Sequence, residues 1–268
     1  MKFAIMKTLK ILIAAFICAL CFTPAFAASE ENHELFMLEA AKNIEFLSQR
    51  VAKGYFYRRL GIRPDRAAED LKKSLVLLQK DMLILQAGIE NDKEEQDISV
   101  FLEYTMSELK SIIESPYSRK NGALMIDYSE SLLEGAEFMA KRRTHKNKSE
   151  EVMLVAVEYS LFLLERINKF YIAYQAGFKD YNNVVQLKQA VQDFEITLAK
   201  INVYTKYSDT TLVSRSKINE FWPVAKEFFI DIQKGALPVI VLASVEKLEK
   251  ELTVLENFHH NNARSDKS

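Results

Sequence analysis

The sequence predicts an all-α protein made of two tandem four-helix up-down bundle units, about eight helices in all, from three observations. Glycine and proline are scarce, with seven and five among 268 residues. Apolar residues recur at helical spacing, and no run alternates as a strand would. The segment FLSQRVAKGYFYRRLGI (46–62) returns as FLLERINKFYIAYQAGF (162–178), with six of 17 aligned positions identical. Such a repeat indicates two copies of one structural unit.

Residues 1–27 are predicted to be a secretory signal peptide. Three lysines precede an apolar run from Ile11 to Phe22, and Ala25-Phe26-Ala27 supplies small residues at a cleavage site. The apolar run is shorter than the roughly 20 residues that a membrane span needs. Both cysteines, Cys18 and Cys21, would leave with the leader, so the mature chain is expected to form no disulfide.

The charge balance argues against a nucleic-acid-binding protein. Loss of the leader removes three of the 36 basic residues and none of the 37 acidic ones, which leaves a net charge of about −4. A mildly acidic chain has no bias toward nucleic acid or an anionic membrane. No later apolar run is long enough to span a bilayer. We therefore expect a soluble protein that is exported to the periplasm.

The first unit, residues 28–145, is predicted to contain four helices. The first helix, from Glu34 to Leu60, has an apolar stripe on one face and is ended by Gly61. That stripe consists of Ala40, Ile44, Leu47, Val51 and Tyr55. Pro64 suits the first position of the next helix, and Pro116 follows the third. The remaining helices are expected over 65–87, 98–114 and 122–141.

The second unit, residues 146–260, repeats this plan. Its helices are expected over 151–176, 181–204, 211–233 and 236–258. Matching Gly-Ala-Leu segments at 122–124 and 235–237 align the fourth and eighth helices. The polar link 141–151 is predicted to be a solvated hinge, and the tail 261–268 to be disordered. The two units would stand end to end through one long helix, or fold as separate bundles.

The segment LSQRVAK, residues 47–53, resembles the first helix of the PilJ-type domain, the sensor region of type IV pilus methyl-accepting chemotaxis transducers. It is also akin to the periplasmic sensor helix of nitrate/nitrite sensor kinases. The family pattern is roughly A-G-R-Q-R-M-L-S-Q-R-x-A-K, and the chain also keeps its first alanine as Ala41. The second copy keeps Leu163, Arg166 and Lys169. The resemblance implies a helical extracytoplasmic sensing module.

The resemblance also implies a position for a bound anion. In the nitrate sensors, an arginine two places before the leucine of the motif contacts the anion across a dimer axis. Glu45 and Leu161 occupy those places here, and neither has a positive charge. We therefore do not expect nitrate binding by that mechanism.

Residue chemistry predicts a paired-cation site in the first copy. Arg50 and Lys53 share a helix face at i and i+3, where they would hold a carboxylate or oxyanion. Ser48 and Gln49 would orient the anion, and Tyr55 would shield it. The second copy offers Arg166, Lys169 and Tyr171. The alternative is structural: each arginine packs its stem at the core edge and binds a carboxylate or a helix-end carbonyl of its own bundle.

The sequence contains no catalytic motif of the nucleophile–base, zinc-protease or phosphate-loop kind. Glu256-x-x-His259 matches half of a di-iron bundle site, which also needs a second such pair and two more glutamates on facing helices; we do not expect that site here, because Glu256 and His259 lie at the predicted frayed end of the last helix. We expect a non-enzyme without a metal or cofactor. One hypothesis is a sensory or ligand-binding accessory protein for a small anion, working with a membrane receptor or transporter. The alternative is a structural module of the envelope, related to pili or chemotaxis, without a small ligand; a homodimer is an additional prediction.

Overall fold

A computed structural model describes residues 23–90, 92–143, 149–233, 235 and 237–265, and most of the predicted leader lies outside them. Within the described residues the chain forms eight α-helices and no strand, which confirms the all-α prediction. They are α1 (Thr23–Arg59), α2 (Pro64–Gly88), α3 (Lys93–Glu114), α4 (Arg119–Lys141), α5 (Ser149–Gln175), α6 (Tyr181–Val203), α7 (Asp209–Ile230) and α8 (Pro238–Ser265). None of these helices combines the length and the apolar character that a membrane crossing requires.

Local backbone chemistry sets several helix ends. The Asp92 side chain accepts hydrogen bonds from the backbone N–H groups of Glu94 (2.9 Å) and Glu95 (3.1 Å). This N-cap begins α3 before the predicted start at residue 98, because the acidic stretch is the first helical turn rather than a loop. Gly61 and Gly177 adopt φ angles of 68° and 100° after α1 and α5, the left-handed conformation that terminates a helix.

Each unit is an up-down bundle organised around its first helix. In the first unit, α1 packs against α2 and α4, and α3 packs against α4. In the second unit, α5 packs against α6 and α8, and α7 packs against α8. Short links make consecutive helices antiparallel. The pairing of first and fourth helices leaves the outer faces of α1 and α5 available to each other.

The two units lie side by side rather than end to end. Helices α1 and α5 pack together and run in the same direction: Lys53 contacts Glu165 (2.8 Å), and one turn later Tyr57 donates to Asn168 (2.7 Å). Buried apolar residues of both units form one continuous core. The expectation of a single long helix through the link is therefore wrong, and the bundles share a packed boundary instead of being separate.

The repeated Gly-Ala-Leu segments misalign the fourth helices of the two units. Gly122 lies in the first turn of α4, whereas Gly235 precedes α8. The helix starts, Arg119 and Pro238, give a shift of 119 positions, and seven buried residues of α4 then coincide with buried residues of α8. Burial rather than the short sequence match therefore defines the structural repeat in these helices.

Helix α8 continues past its predicted end at residue 258. Residues 261–265 are helical rather than disordered, and 266–268 lie outside the described residues. His259 accounts for the extension because it is fully buried and continues the buried stripe of Leu252 and Leu255 at helical spacing. A buried side chain at this position fixes the last turns of the helix against the bundle.

Candidate functional site

The first copy of the repeated segment places Arg50 and Lys53 at the seam. By the seam we mean the packed boundary of α1 and α5 with the flanking helices α4 and α8. Lys53 Nζ lies 2.6 Å from Glu165 Oε2 on α5. Arg50 Nη1 lies 3.5 Å from Glu165 Oε1 and 3.8 Å from Glu249 Oε1 on α8. We call these four residues the open cluster. The cations of the first unit are thus paired with acids of the second.

The second cation pair makes the reciprocal contact. Arg166 donates to both carboxylate oxygens of Glu130 on α4, at 2.9 Å and 2.7 Å, and also to Gln49 (3.3 Å) and Gln186 (2.7 Å). Lys169, which is fully buried, donates to the same Glu130 carboxylate. We call these five residues the closed cluster. The structural alternative from the sequence needs correction, because each carboxylate comes from the opposite unit.

The two clusters are related by exchange of the units. Helix α1 of the first unit corresponds to α5 of the second, and α4 corresponds to α8. The shift of 119 positions takes Glu130 on α4 to Glu249 on α8. The clusters differ in two ways: Gln49 in the first copy corresponds to Glu165 in the second, and only the closed cluster contains a residue of the sixth helix, Gln186. The open cluster therefore contains two carboxyls, whereas the closed cluster contains one.

Burial controls ionisation in the closed cluster. Desolvation lowers the pKa of Lys169 to about 8, although the Glu130 carboxylate favours its charged form. Burial also opposes ionisation of Glu130, but Lys169 and Arg166 outweigh it and lower the pKa of Glu130 to about 2. The closed cluster therefore depends on Glu130 to keep a fully buried ammonium group in place.

The pKa values of the two neighbouring carboxyls of the open cluster, Glu165 and Glu249, shift in opposite directions. Burial disfavours the charged form of Glu165, but Lys53, a hydrogen bond with Glu249 and Arg50 together lower its pKa. Burial and the adjacent Glu165 charge raise the pKa of Glu249. Like charges this close do not both ionise readily. Glu249 therefore keeps its proton to a higher pH than an exposed glutamate does.

A cleft of about 80 Å³ opens beside the open cluster, between α1, α2 and α8. We call it the seam cleft. Its charged lining residues are Arg50, Lys53, Arg63, Arg66, Asp70, Glu246 and Glu249. The volume is several times the space that one water molecule requires, and it suits an ion of a few heavy atoms.

Arg63 lies at the rim of the seam cleft in an uncommon backbone conformation. Its φ and ψ angles are 45° and 55°, in the left-handed region that non-glycine residues rarely adopt. Arg63 Nη1 is 3.2 Å from Glu246 Oε2, and Arg66 Nη2 is 3.0 Å from Glu246 Oε1. The turn before α2 thus directs two guanidinium groups of the first unit toward one carboxylate of the second.

Cations exceed ionised acids in the seam cleft when Glu249 is protonated. Four cations line the cleft, and the carboxyls are Asp70, Glu246 and Glu249, with Glu165 beneath them. Because the pKa of Glu249 is raised, four cations then face three carboxylates. A bound anion would neutralise the excess charge.

Of the first-copy residues predicted from sequence, Arg50 and Lys53 line the seam cleft. Gln49 belongs to the closed cluster. Ser48 is buried, donates to the backbone oxygen of Glu45 (2.7 Å) and accepts from Gln49 Nε2 (3.0 Å). Neither Ser48 nor Gln49 lines the cleft, so their predicted role of orienting an anion there has no contact to support it.

The two predicted tyrosines pack elsewhere. The Tyr55 ring lies 6.2 Å from that of Tyr117, before α4, and it does not line the seam cleft. The Tyr171 hydroxyl accepts a hydrogen bond from the backbone N–H of Leu237 (3.1 Å). Both rings close the ends of their bundles, which corrects the prediction that Tyr55 shields an anion held by Arg50.

The positions at which the resemblance implies an anion-binding arginine are both buried. Glu45 is 4% exposed and binds Lys42 at 2.8 Å, and Leu161 is 8% exposed. Burial raises the pKa of Glu45 even though Lys42 favours its charged form. These surroundings supply no arginine of the kind that the resemblance describes.

A buried polar network at the opposite end of the second unit was not predicted from the sequence. His259 Nδ1 lies 2.9 Å from Glu150 Oε2, and His259 Nε2 lies 3.1 Å from the Tyr207 hydroxyl. Tyr204 donates to the other Glu150 oxygen. All four side chains are buried. The network joins the start of α5, the α6–α7 link and the end of α8, while Glu256 of the supposed half-site takes no part in it.

The first residues of the basic link are also structural. Arg143 is buried, lies 2.6 Å from Glu95 Oε2 and donates to the backbone oxygen of Met139 (2.8 Å). Arg142 lies 3.0 Å from Glu94 at the start of α3. The predicted solvated link is therefore wrong for the buried Arg143, whereas Arg142 is exposed. Residues 144–148 lie outside the described part of the chain.

Within the described ranges, no group of three or more histidine, cysteine, aspartate or glutamate side chains is arranged to hold a metal ion. The chain matches no family model, no curated protein and no solved structure. The resemblance to the PilJ-type domain and the predicted export therefore stay predictions.

Proposed function

We propose that this chain is a periplasmic, non-catalytic sensory or ligand-binding module that binds a small anion in the seam cleft and works with a membrane receptor or transporter. The observation that carries the proposal is the convergence of four cations, two from α1 and two from the start of α2, on a cleft at the boundary of two units. The two motif copies also face each other across the seam. This arrangement is similar to sensor helices that meet across a dimer axis in the nitrate sensors that the sequence resembles.

The anion would sit between cations of the first unit. Arg50 and Lys53 would bind it from α1, and Arg63 and Arg66 from the start of α2, through charge-assisted hydrogen bonds. The competing acids on α8 belong to the second unit. An anion would therefore change the contacts across the seam, and helix adjustments of about 1–2 Å are the usual scale of such responses.

Thermal unfolding with added anions tests the proposal. Acetate, nitrate, nitrite and amino acids would be compared with chloride at equal ionic strength. An anion at about 100 times its Kd should stabilise the fold by about 2.7 kcal/mol. The stabilisation should be lost in Arg50→Gln and kept in Arg58→Gln, which changes an exposed arginine of the same helix outside the cleft.

Two results would contradict the proposal. One is that no anion stabilises the protein more than chloride does. The other is that Arg50→Gln responds to the anion as fully as Arg58→Gln does.

A structural or protein-interaction module of the envelope is the second candidate. The closed cluster favours it, because Arg166 already makes four hydrogen bonds to protein groups of both units. In this role the open cluster, too, serves only to join the units. Failure of every anion in the unfolding experiment, with a single cooperative transition for the whole chain, would favour this candidate.

A further inference from the structure

Glu246 bridges two arginines of the opposite unit with one carboxylate. Its Oε2 lies 3.2 Å from Arg63 Nη1, and its Oε1 lies 3.0 Å from Arg66 Nη2. Each oxygen thus binds a different guanidinium group. A free monocarboxylate would present the same two oxygens to the same two cations.

The bridge is accessible and exchangeable. The side chains of Arg66, Arg63 and Glu246 are 55%, 39% and 24% exposed. Ion pairs that reach solvent contribute little to stability, so an incoming carboxylate can replace one at small cost. Arg50 and Lys53 are, by contrast, held by the buried Glu165 carboxylate. The exchangeable part of the seam cleft is therefore its rim.

The backbone holds one of these arginines in place before any ligand arrives. Arg63 adopts the left-handed conformation directly before Pro64, and no side chain caps the helix there. Such a conformation persists in a non-glycine residue only when its surroundings hold it. The left-handed backbone therefore directs the Arg63 side chain toward Glu246 on α8.

We propose that Glu246 is a resident carboxylate that occupies the position of a small monocarboxylate ligand, so that ligand and Glu246 compete for Arg63 and Arg66. This inference rests on the proposed function and names its ligand class. When the ligand displaces Glu246, α8 loses its ion pairs with the start of α2. Competition at the rim thereby connects ligand binding to the contact between the units.

Calorimetric titration with sodium acetate, at an ionic strength kept constant with sodium chloride, tests the competition. Glu246→Gln should bind acetate about threefold to tenfold more tightly than the wild type, because two weak ion pairs no longer compete. Glu227→Gln makes the same charge change at an exposed position of α7 and should keep the wild-type Kd. Adding Arg66→Gln to Glu246→Gln should abolish the gain.

The outcomes separate this inference from the proposed function. Acetate binding by Glu246→Gln that is tighter than in the wild type, or present in the variant alone, supports the competition. Binding by the wild type that Glu246→Gln leaves unchanged or weakens overturns the competition and leaves the anion site standing. Absence of acetate binding in both proteins overturns the competition, because two freed arginines would then fail to take a carboxylate; the proposed function is then decided by the unfolding experiment with the other anions.

Discussion

Replacing Glu130 with glutamine is expected to destabilise the protein by about 3–5 kcal/mol. The substitution keeps the size of the side chain but removes the carboxylate that faces Lys169 and Arg166, whose side chains are 0% and 11% exposed. Loss of one partner of a buried ion pair leaves an uncompensated charge. Glu134→Gln changes an exposed residue one turn later on α4 and should stay within about 0.5 kcal/mol of the wild type.

The pH dependence distinguishes a lost ion pair from lost packing. Burial places the pKa of Lys169 at about 8 in the folded protein, below its ordinary value of 10.5. The unfolded chain then binds more protons, so the contribution of Lys169 to stability rises with pH. In Glu130→Gln the pKa of Lys169 falls further, because the carboxylate that favours its charged form is gone. The increase of stability with pH therefore begins at a lower pH in the variant. The deficit of Glu130→Gln should be about 1 kcal/mol smaller at about pH 9 than at about pH 7.

Urea unfolding followed by far-ultraviolet circular dichroism measures both effects. A deficit below about 1 kcal/mol at about pH 7, which lies under the range for a broken buried pair, would contradict a buried ion pair at Glu130. A deficit that grows with pH would refute it as well.

Two further substitutions probe buried contacts outside the seam cleft. Burial lowers the pKa of His259 from 6.5, so the stability that neutral His259 contributes is lost as pH falls. In urea unfolding, the stability that His259→Gln loses relative to the wild type should therefore be smaller at about pH 5 than at about pH 7, and a larger loss at about pH 5 would contradict this. Gly122→Ala should cost about 1–3 kcal/mol because its Cβ would overlap the Phe178 ring, whereas Gly235→Ala meets open space; equal melting temperatures would contradict the packing.

The repeated segment, 46–62 and 162–178, allowed the most reliable predictions about the site. Its helical spacing predicted α1 and α5, and its conserved spacing of arginine and lysine predicted two equivalent cation pairs, which lie at equivalent places in the seam. These properties are local, because one helix face fixes which side chains lie together. The side-by-side contact of the units depends on which helix faces are left uncovered, and the sequence pattern did not reveal it.

The carboxylate partners of the cations could not be predicted from the sequence. Glu130 and Glu249 lie on helices whose Gly-Ala-Leu segments suggested the wrong alignment, and a single glutamate in a charged surface helix has no distinguishing pattern. His259 did leave a signal. It continues the spacing of Leu252 and Leu255, but its polar neighbours outweighed that periodicity in the prediction of a frayed end.

Buried charges from the two motif copies pair across the seam, and a double-mutant cycle between Lys53 and Glu165 measures this pairing. Lys53→Met and Glu165→Leu should each cost about 3–5 kcal/mol, since each removes the nearest partner of a buried charge. The double variant should cost far less than their sum, with a coupling free energy of at least about 2 kcal/mol. Losses that add to within about 0.5 kcal/mol would show that the two residues do not meet.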